Sequence, residues 1–185
     1  MKILPLIIAP NQLLKKISAP VEKIDENLRQ FMRDMVNTMY AESGIGLAAV
    51  QVGVLSRILV IDINYEVEDH DHYHDHENCG GFHVKNTNPR FFVNPEIIKN
   101  SEEKSSYKEG CLSFPNARSE VIRPKKVTVK YLDFNGKEQV EEMEGILATC
   151  IQHEIDHLNG ITFVDHISKL KRDMILNKMK KLHKK

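Results

Sequence analysis

His153-Glu154-Ile155-Asp156-His157 sets two imidazoles four residues apart, with a carboxylate beside the first. On an α-helix, residues four apart share a face, so both rings can reach one metal ion. Glu154 then lies near enough to touch a water on that ion without being a ligand. Such a trio suits hydrolysis at a metal, with Glu154 carrying the proton. The plain competing interpretation is a pair of core histidines with satisfied hydrogen bonds. A catalytic site of this kind needs a third protein ligand and an open position. His166 would suit a zinc peptidase, Glu144 and Asp165 lie close to the helix, and Cys111 follows Gly110, whose lack of a side chain allows close backbone approach. Spacing does not choose among them.

These residues need elements to hold them. Ile146, Leu147, Cys150, Ile151, Ile155 and Leu158 recur at spacings of three and four, which predicts a buried helix stopped by Asn159-Gly160. Asp25 is an N-cap for a helix over 26–42, ended by Gly44. Leu28, Phe31, Met32, Met35 and Met39 form its apolar stripe, which reads as core packing. The stretch 44–53 reads as a loop at the wall of a site. It fails as a dinucleotide fingerprint, because it follows a helix and Ala49 stands where the third glycine belongs. Gln51 is its one side chain with amide chemistry. Residues 57–63 form an interior strand, and Phe91-Phe92-Val93 with Ile97-Ile98 resume ordered structure. Val127, Val129 and Tyr131 alternate with polar residues, Asn135-Gly136 marks a hairpin, and 138–142 is the return strand. Together these predict an α+β fold in one domain, 1–185: antiparallel β-sheets packed around a central metal-binding helix, with an N-terminal and a C-terminal helix.

Lys+Arg and Asp+Glu both number 26, so no overall field draws the chain to nucleic acid or an anionic membrane. Three cysteines close no disulfide framework, which fits a reducing, cytoplasmic setting. No apolar run approaches the ~20 residues of a membrane span. The apolar run at 3–8 is short and broken by Pro5, so a buried N-terminal segment is expected, not a leader. Composition changes abruptly over 65–82, where acidic residues accompany His70, His72, His74 and His76 without one Lys or Arg. A solvated insertion is favoured there over a weak metal trap, since flexible ligands select poorly by geometry. Residues 168–185 hold eight Lys/Arg against one Asp, with Leu170, Met174, Ile175, Met179 and Leu182 at helical spacing. That is a basic amphipathic helix, suited either to RNA or a membrane surface or to docking by one face.

Three motifs, in this order, resemble the peptide deformylase family: 44–51 (GIGLAAVQ), 109–113 (EGCLS) and 152–157 (QHEIDH). The resemblance covers nearly all of the chain outside the histidine-rich insertion. It implies one divalent ion held by Cys111, His153 and His157, with the fourth position left for water. The ion is usually Fe(II), with Zn, Ni or Co as substitutes. It implies hydrolysis of the N-formyl group from the initiator methionine of new polypeptides, yielding formate and a free amine. Glu154 becomes the general base and acid, with the Gln51 amide and the Leu112 backbone N–H as donors to the formyl oxygen. The substrate pocket carried over comprises Ile45, Gly46, Tyr107, Glu109, Gly110, Ile146, Thr149 and Cys150, while Arg118 matches a contact to the substrate backbone. Thr149 is more polar, and Phe114 larger, than the residues expected at their positions. The basic C-terminal helix resembles a segment that docks near the ribosomal exit, and a monomer is expected. Two rivals stand beside this: a zinc endopeptidase, which gives Cys111 and Gln51 no role, and a non-enzymatic metal-handling protein built on His70 to His76.

Overall fold

The structure is a computed structural model describing residues 2–67 and 84–182. The Asp25 carboxylate accepts the Leu28 N–H at 2.9 Å and starts α1 (Glu26–Ala41) where its position predicts. The methionine stripe faces a core cluster, as expected. The left-handed step that ends α1 is at Ser43 (φ 53°), not at Gly44. Ser43 N–H reaches the Tyr40 carbonyl at 2.9 Å and Gly44 N–H the Met39 carbonyl at 2.8 Å, a paired closure of the last turn. Gly44 answers a packing demand instead, since a Cβ there would sit 2.7 Å from Leu112 Cδ1.

The stretch expected as a loop contains a three-residue strand. β1 (Gly46–Ala48) is followed by a tight turn over Ala49–Val52 and pairs antiparallel with β2 (Ile58–Ile61). The short β3 (Glu66–Val67) and β4 (Val84–Lys85) form a ribbon of their own. Then come β5 (Arg90–Asn100), β6 (Lys104–Gly110), β7 (Arg118–Pro124), β8 (Lys126–Leu132) and β9 (Glu138–Glu144). They are followed by α2 (Gly145–Leu158) and α3 (Lys169–Leu182). The main sheet runs β1-β2-β5-β8-β9, and β6 with β7 makes a separate hairpin. Leu59 and Ile61 of β2 face the cluster under α2, while Ile58 and Val60 face the cluster under α1. Burial on both faces explains why 58–61 is a continuous apolar run. Midway along β5 the register against β8 shifts at Asn94-Pro95, and the left-handed Asn94 (φ 51°) turns its carboxamide onto the backbone of Val21. β9 runs two residues beyond the predicted end and leads straight into α2. The architecture is α+β with antiparallel sheets, as the sequence predicts.

Three expectations are corrected at the periphery. The N-terminal segment is half-buried: Leu4 and Leu6 lie against the α1 cluster while Lys2, Ile3 and Pro5 are exposed. Tyr65 belongs to the fold, its hydroxyl donating to the Gly44 carbonyl at 3.0 Å and its ring 4.7 Å from Tyr40, and Glu66 and Val67 pair with β4, so the fold includes 65–67 of the stretch expected as a solvated insertion. The expectation for His70 to His76 and their acidic neighbours falls outside the described residues. α3 docks only by its second half: Met179 is fully buried beside Ile175 and Leu176, whereas Leu170 and Met174 are 73% and 64% exposed. Among the described residues, no helix is long and apolar enough to cross a membrane.

Candidate active site

α2 is the central positioning element, buried along nearly its whole length. It ends as predicted. Gly160 takes the left-handed conformation (φ 72°), and Ile161 N–H bonds the Asp156 carbonyl at 2.9 Å. A Cβ on Gly160 would also collide with the Lys15 carbonyl at 2.6 Å, so glycine is required twice over. The helix thereby presents His153, Glu154 and His157 to the interior between the main sheet and the β6–β7 hairpin. Cys111 follows β6 directly, and its Sγ lies 3.2 Å from His157 Nε2. One ligand atom from each of Cys111, His153 and His157 falls within 4.8 Å of the others.

The other candidates for a third ligand are engaged elsewhere. His166 Nε2 donates to Asp156 at 2.7 Å, Asp165 pairs with Lys15 and accepts the Thr162 N–H, and the exposed Glu144 pairs with Lys126. The donor set is thus one sulfur and two imidazole nitrogens, which fits a borderline divalent ion. The surrounding bonds agree. His153 Nδ1 donates to Glu109 at 2.8 Å, which leaves Nε2 as the ring nitrogen that can face a metal ion. Glu154 Oε2 and His157 Nδ1 are buried with no hydrogen-bond partner.

Burial pushes Glu154 up to about 7, in the range a general base needs. Burial also opposes charge on His153, but bonds to Cys111 and Glu109 overcome it and hold its pKa well above the usual value. His157, buried and 5.0 Å from His153 between ring centres, is pushed well below. Burial likewise works against the Glu109 carboxylate, yet His153 and Arg123 bring it down to about 2. Gly46 makes room for Glu154: a Cβ there would lie 2.6 Å from Glu154 Oε1 and 2.7 Å from Cys150 Sγ. Gln51 is buried and fixed, its Oε1 accepting the Ala48 N–H at 2.8 Å. That aims its amide nitrogen at the site, 3.2 Å from Ser113 Oγ and 3.5 Å from Cys111 Sγ.

A cleft of about 600 Å³ opens onto this cluster. Ile45, Gly46, Tyr107, Glu109, Gly110, Arg118, Ile146, Thr149 and Cys150 all line it, together with Gln51, Cys111, Leu112, His153 and Glu154. Glu109 stands apart, because its carboxylate is taken up by His153 and Arg123. The Thr149 hydroxyl bonds the Gly145 carbonyl within the helix, which offsets its polarity. Phe114 packs edge-on against Phe163, with ring centres 5.3 Å apart. Sequence reading missed Arg123, Asp156, Ser113 and Phe163. Arg123 had left a signal: it shares the buried parity of β7 with Ser119 and Val121, where a lone cation is out of place.

The polypeptide deformylase family model matches residues 3–173. A peptide deformylase of Rhizobium meliloti (strain 1021) is 49% identical over 184 residues, covering 100% of this chain and 96% of its own. One from Mesorhizobium japonicum is 51% identical, covering 100% and 95%. Among solved structures, the peptide deformylase of Ehrlichia chaffeensis in complex with actinonin superposes with a TM-score of 0.85 at 40% identity, covering 100% of both chains.

Proposed function

The chain belongs to the polypeptide deformylase family, and from that premise we propose how its residues divide the work. The protein is a metal-dependent hydrolase that removes the N-formyl group from nascent polypeptides. Cys111, His153 and His157 hold one divalent ion, Fe(II) in the cell, with Zn, Ni or Co as substitutes. When bound, that ion supplies Lewis acidity, polarising the formyl carbonyl and making water nucleophilic at neutral pH. The observation that carries this reading is the convergence of those three ligand atoms beside the buried, unpartnered Glu154 Oε2.

Glu154 takes the proton from the attacking water and delivers it to the departing amine, so the products are formate and a free N-terminus. The Gln51 amide and the Leu112 N–H stabilise charge as it builds on the formyl oxygen. Gln51 needs no reorganisation, since the Ala48 N–H already fixes its orientation. Ile45, Ile146 and Cys150 with Thr149 enclose the methionine side chain, and Tyr107, Gly110 and Arg118 flank the following backbone. Catalysis takes place in a single domain, acting as a monomer in the cytoplasm. The exposed cations of α3, among them Lys169, Lys171, Lys180 and Lys181, suit the RNA of the ribosome. Co-sedimentation with ribosomes that weakens steeply with added salt supports that contact, and salt-insensitive or absent binding removes it.

The test of the central assignment is Glu154→Gln. It should load Co(II) as the parent does and release no formate from an N-formyl-Met tripeptide. Parental turnover would show that Glu154 is not the base.

A further inference from the structure

Five side chains from five places in the chain join end to end. His153 Nδ1 donates to Glu109 Oε2 at 2.8 Å, and Arg123 grips Glu109 with Nε to Oε1 at 2.6 Å and a second nitrogen to Oε2 at 3.1 Å. The third guanidinium nitrogen reaches Asp156 Oδ2 at 2.7 Å, and His166 Nε2 donates to the same oxygen at 2.7 Å. His153 and Glu109 are both buried, at 8% and 3% side-chain exposure, and from Glu109 outward exposure climbs through 6% at Arg123 and 17% at Asp156 to 34% at His166. The series therefore runs from the metal cluster to the surface.

We propose that Asp156 and His166 are positioning residues for His153, acting through Arg123 and Glu109. The inference rests on the reading of His153 as a metal ligand. Its geometry is a closed brace. His153 and Asp156 are three apart on α2 and so share a face, and Arg123 of β7 ties Asp156 to the carboxylate that holds the His153 ring. The imidazole is thereby fixed against its own helix, and its Nδ1–H is committed to Glu109. A fork of fixed shape is what makes this transmissible, because guanidinium binds two carboxylates in set directions. Without Asp156, one guanidinium nitrogen loses its partner in a nearly closed interior, and the fork is free to turn. His166 acts one step farther out by fixing which way Asp156 points. The turn at Phe163–His166 thus restrains His153 twice: by this route and by Phe163, whose ring stacks on His153 at 6.3 Å and 19°.

Stability alone does not call for such a chain, since a buried ion pair seldom outperforms apolar packing of equal volume. Co(II) affinity of the metal-free protein, measured by chelator competition and read from the thiolate and d–d absorption bands, tests the proposal. His166→Phe should weaken affinity about fivefold, short of the 10–100-fold typical when a ligand's direct partner is lost. His166→Gln, which keeps a donor amide, should restore most of it, and Asp156→Asn should cost more than His166→Phe. In a Glu109→Gln background, His166→Phe should add almost nothing, because the path is already cut. An unchanged affinity in both His166→Phe and Asp156→Asn would overturn the relay. So would a full additional loss in the Glu109→Gln background, which would mark the effect as local packing. Failure of the parent to bind Co(II) at all would instead refute the metal site itself.

Discussion

Gly46→Ala is the smallest change that should disable the site without touching a ligand. Gly46 has an ordinary β-strand backbone, so alanine brings no conformational strain of its own. The added methyl would start 2.6 Å from Glu154 Oε1 and 2.7 Å from Cys150 Sγ. Ordinary van der Waals contact begins near 3.4 Å, so the carboxylate must retreat by about 0.8 Å. Both contacts lie on α2, whose Ala148, Ile151, Ile155 and Leu158 are locked into the main core cluster and hold the helix in place. A displacement of ~1 Å at a reacting group costs on the order of 100-fold in rate, and kcat should fall by about that factor. Cys111, His153 and His157 are untouched, so Co(II) stoichiometry and its absorption spectrum should match the parent. The assay is steady-state release of formate from an N-formyl-Met tripeptide by Co(II)-loaded protein. KM should rise less than kcat falls, although Gly46 also lines the cleft. A kcat within twofold of the parent would refute the argument that Glu154 must stand where it does.

Gln51→Leu should lower kcat by about 10²–10³-fold with metal affinity retained, as expected when one oxyanion donor is removed. Gln51→Glu keeps the acceptor for Ala48 but turns a carboxylate oxygen toward Cys111, and should be worse. The base must be ionised to act. Burial lifts Glu154 to about 7 in the metal-free protein. A bound dication favours the carboxylate, so the acid limb of log kcat/KM should have unit slope and lie below 7. Activity that rises as pH falls through that range would contradict the assignment. In α3, Met179→Ala should cost about 2–4 kcal/mol in denaturant unfolding, since the side chain is fully buried, while the exposed Met174→Ala should stay within about 0.5 kcal/mol. Equal costs would show that α3 docks differently.

Features set by local chemistry were legible in the sequence. Asp25, the His153–His157 face and the Asn159-Gly160 stop each depend on a few consecutive residues, and each stands where predicted. The proposed third ligand was not legible in the same way, because Cys111 follows β6 and only the packing of that hairpin on α2 brings it near. Spacing left His166 equally eligible, and resemblance to a family made the choice. His166 proved to hold Asp156 instead. Backbone freedom makes Gly44 the natural end of α1 in the sequence, whereas in the structure its missing side chain admits Leu112. Periodicity identified the apolar face of α3, but not that Leu170 and Met174 would find nothing to cover them while Met179 would. Arg123 is hard to recognise from sequence because its cation sits on the buried parity of β7, where only carboxylates from β6 and α2 make it tolerable.

The most direct measurement follows formate and free amine together as anaerobically prepared, Fe(II)-loaded protein acts on an N-formyl-Met tripeptide, beside Cys111→Ala prepared in the same way. Formate should equal amine one for one in the parent, and both should vanish in the variant. Amine released without formate would mean cleavage of an internal peptide bond. Full activity in Cys111→Ala would remove the sulfur from the site, and either result would contradict the mechanism.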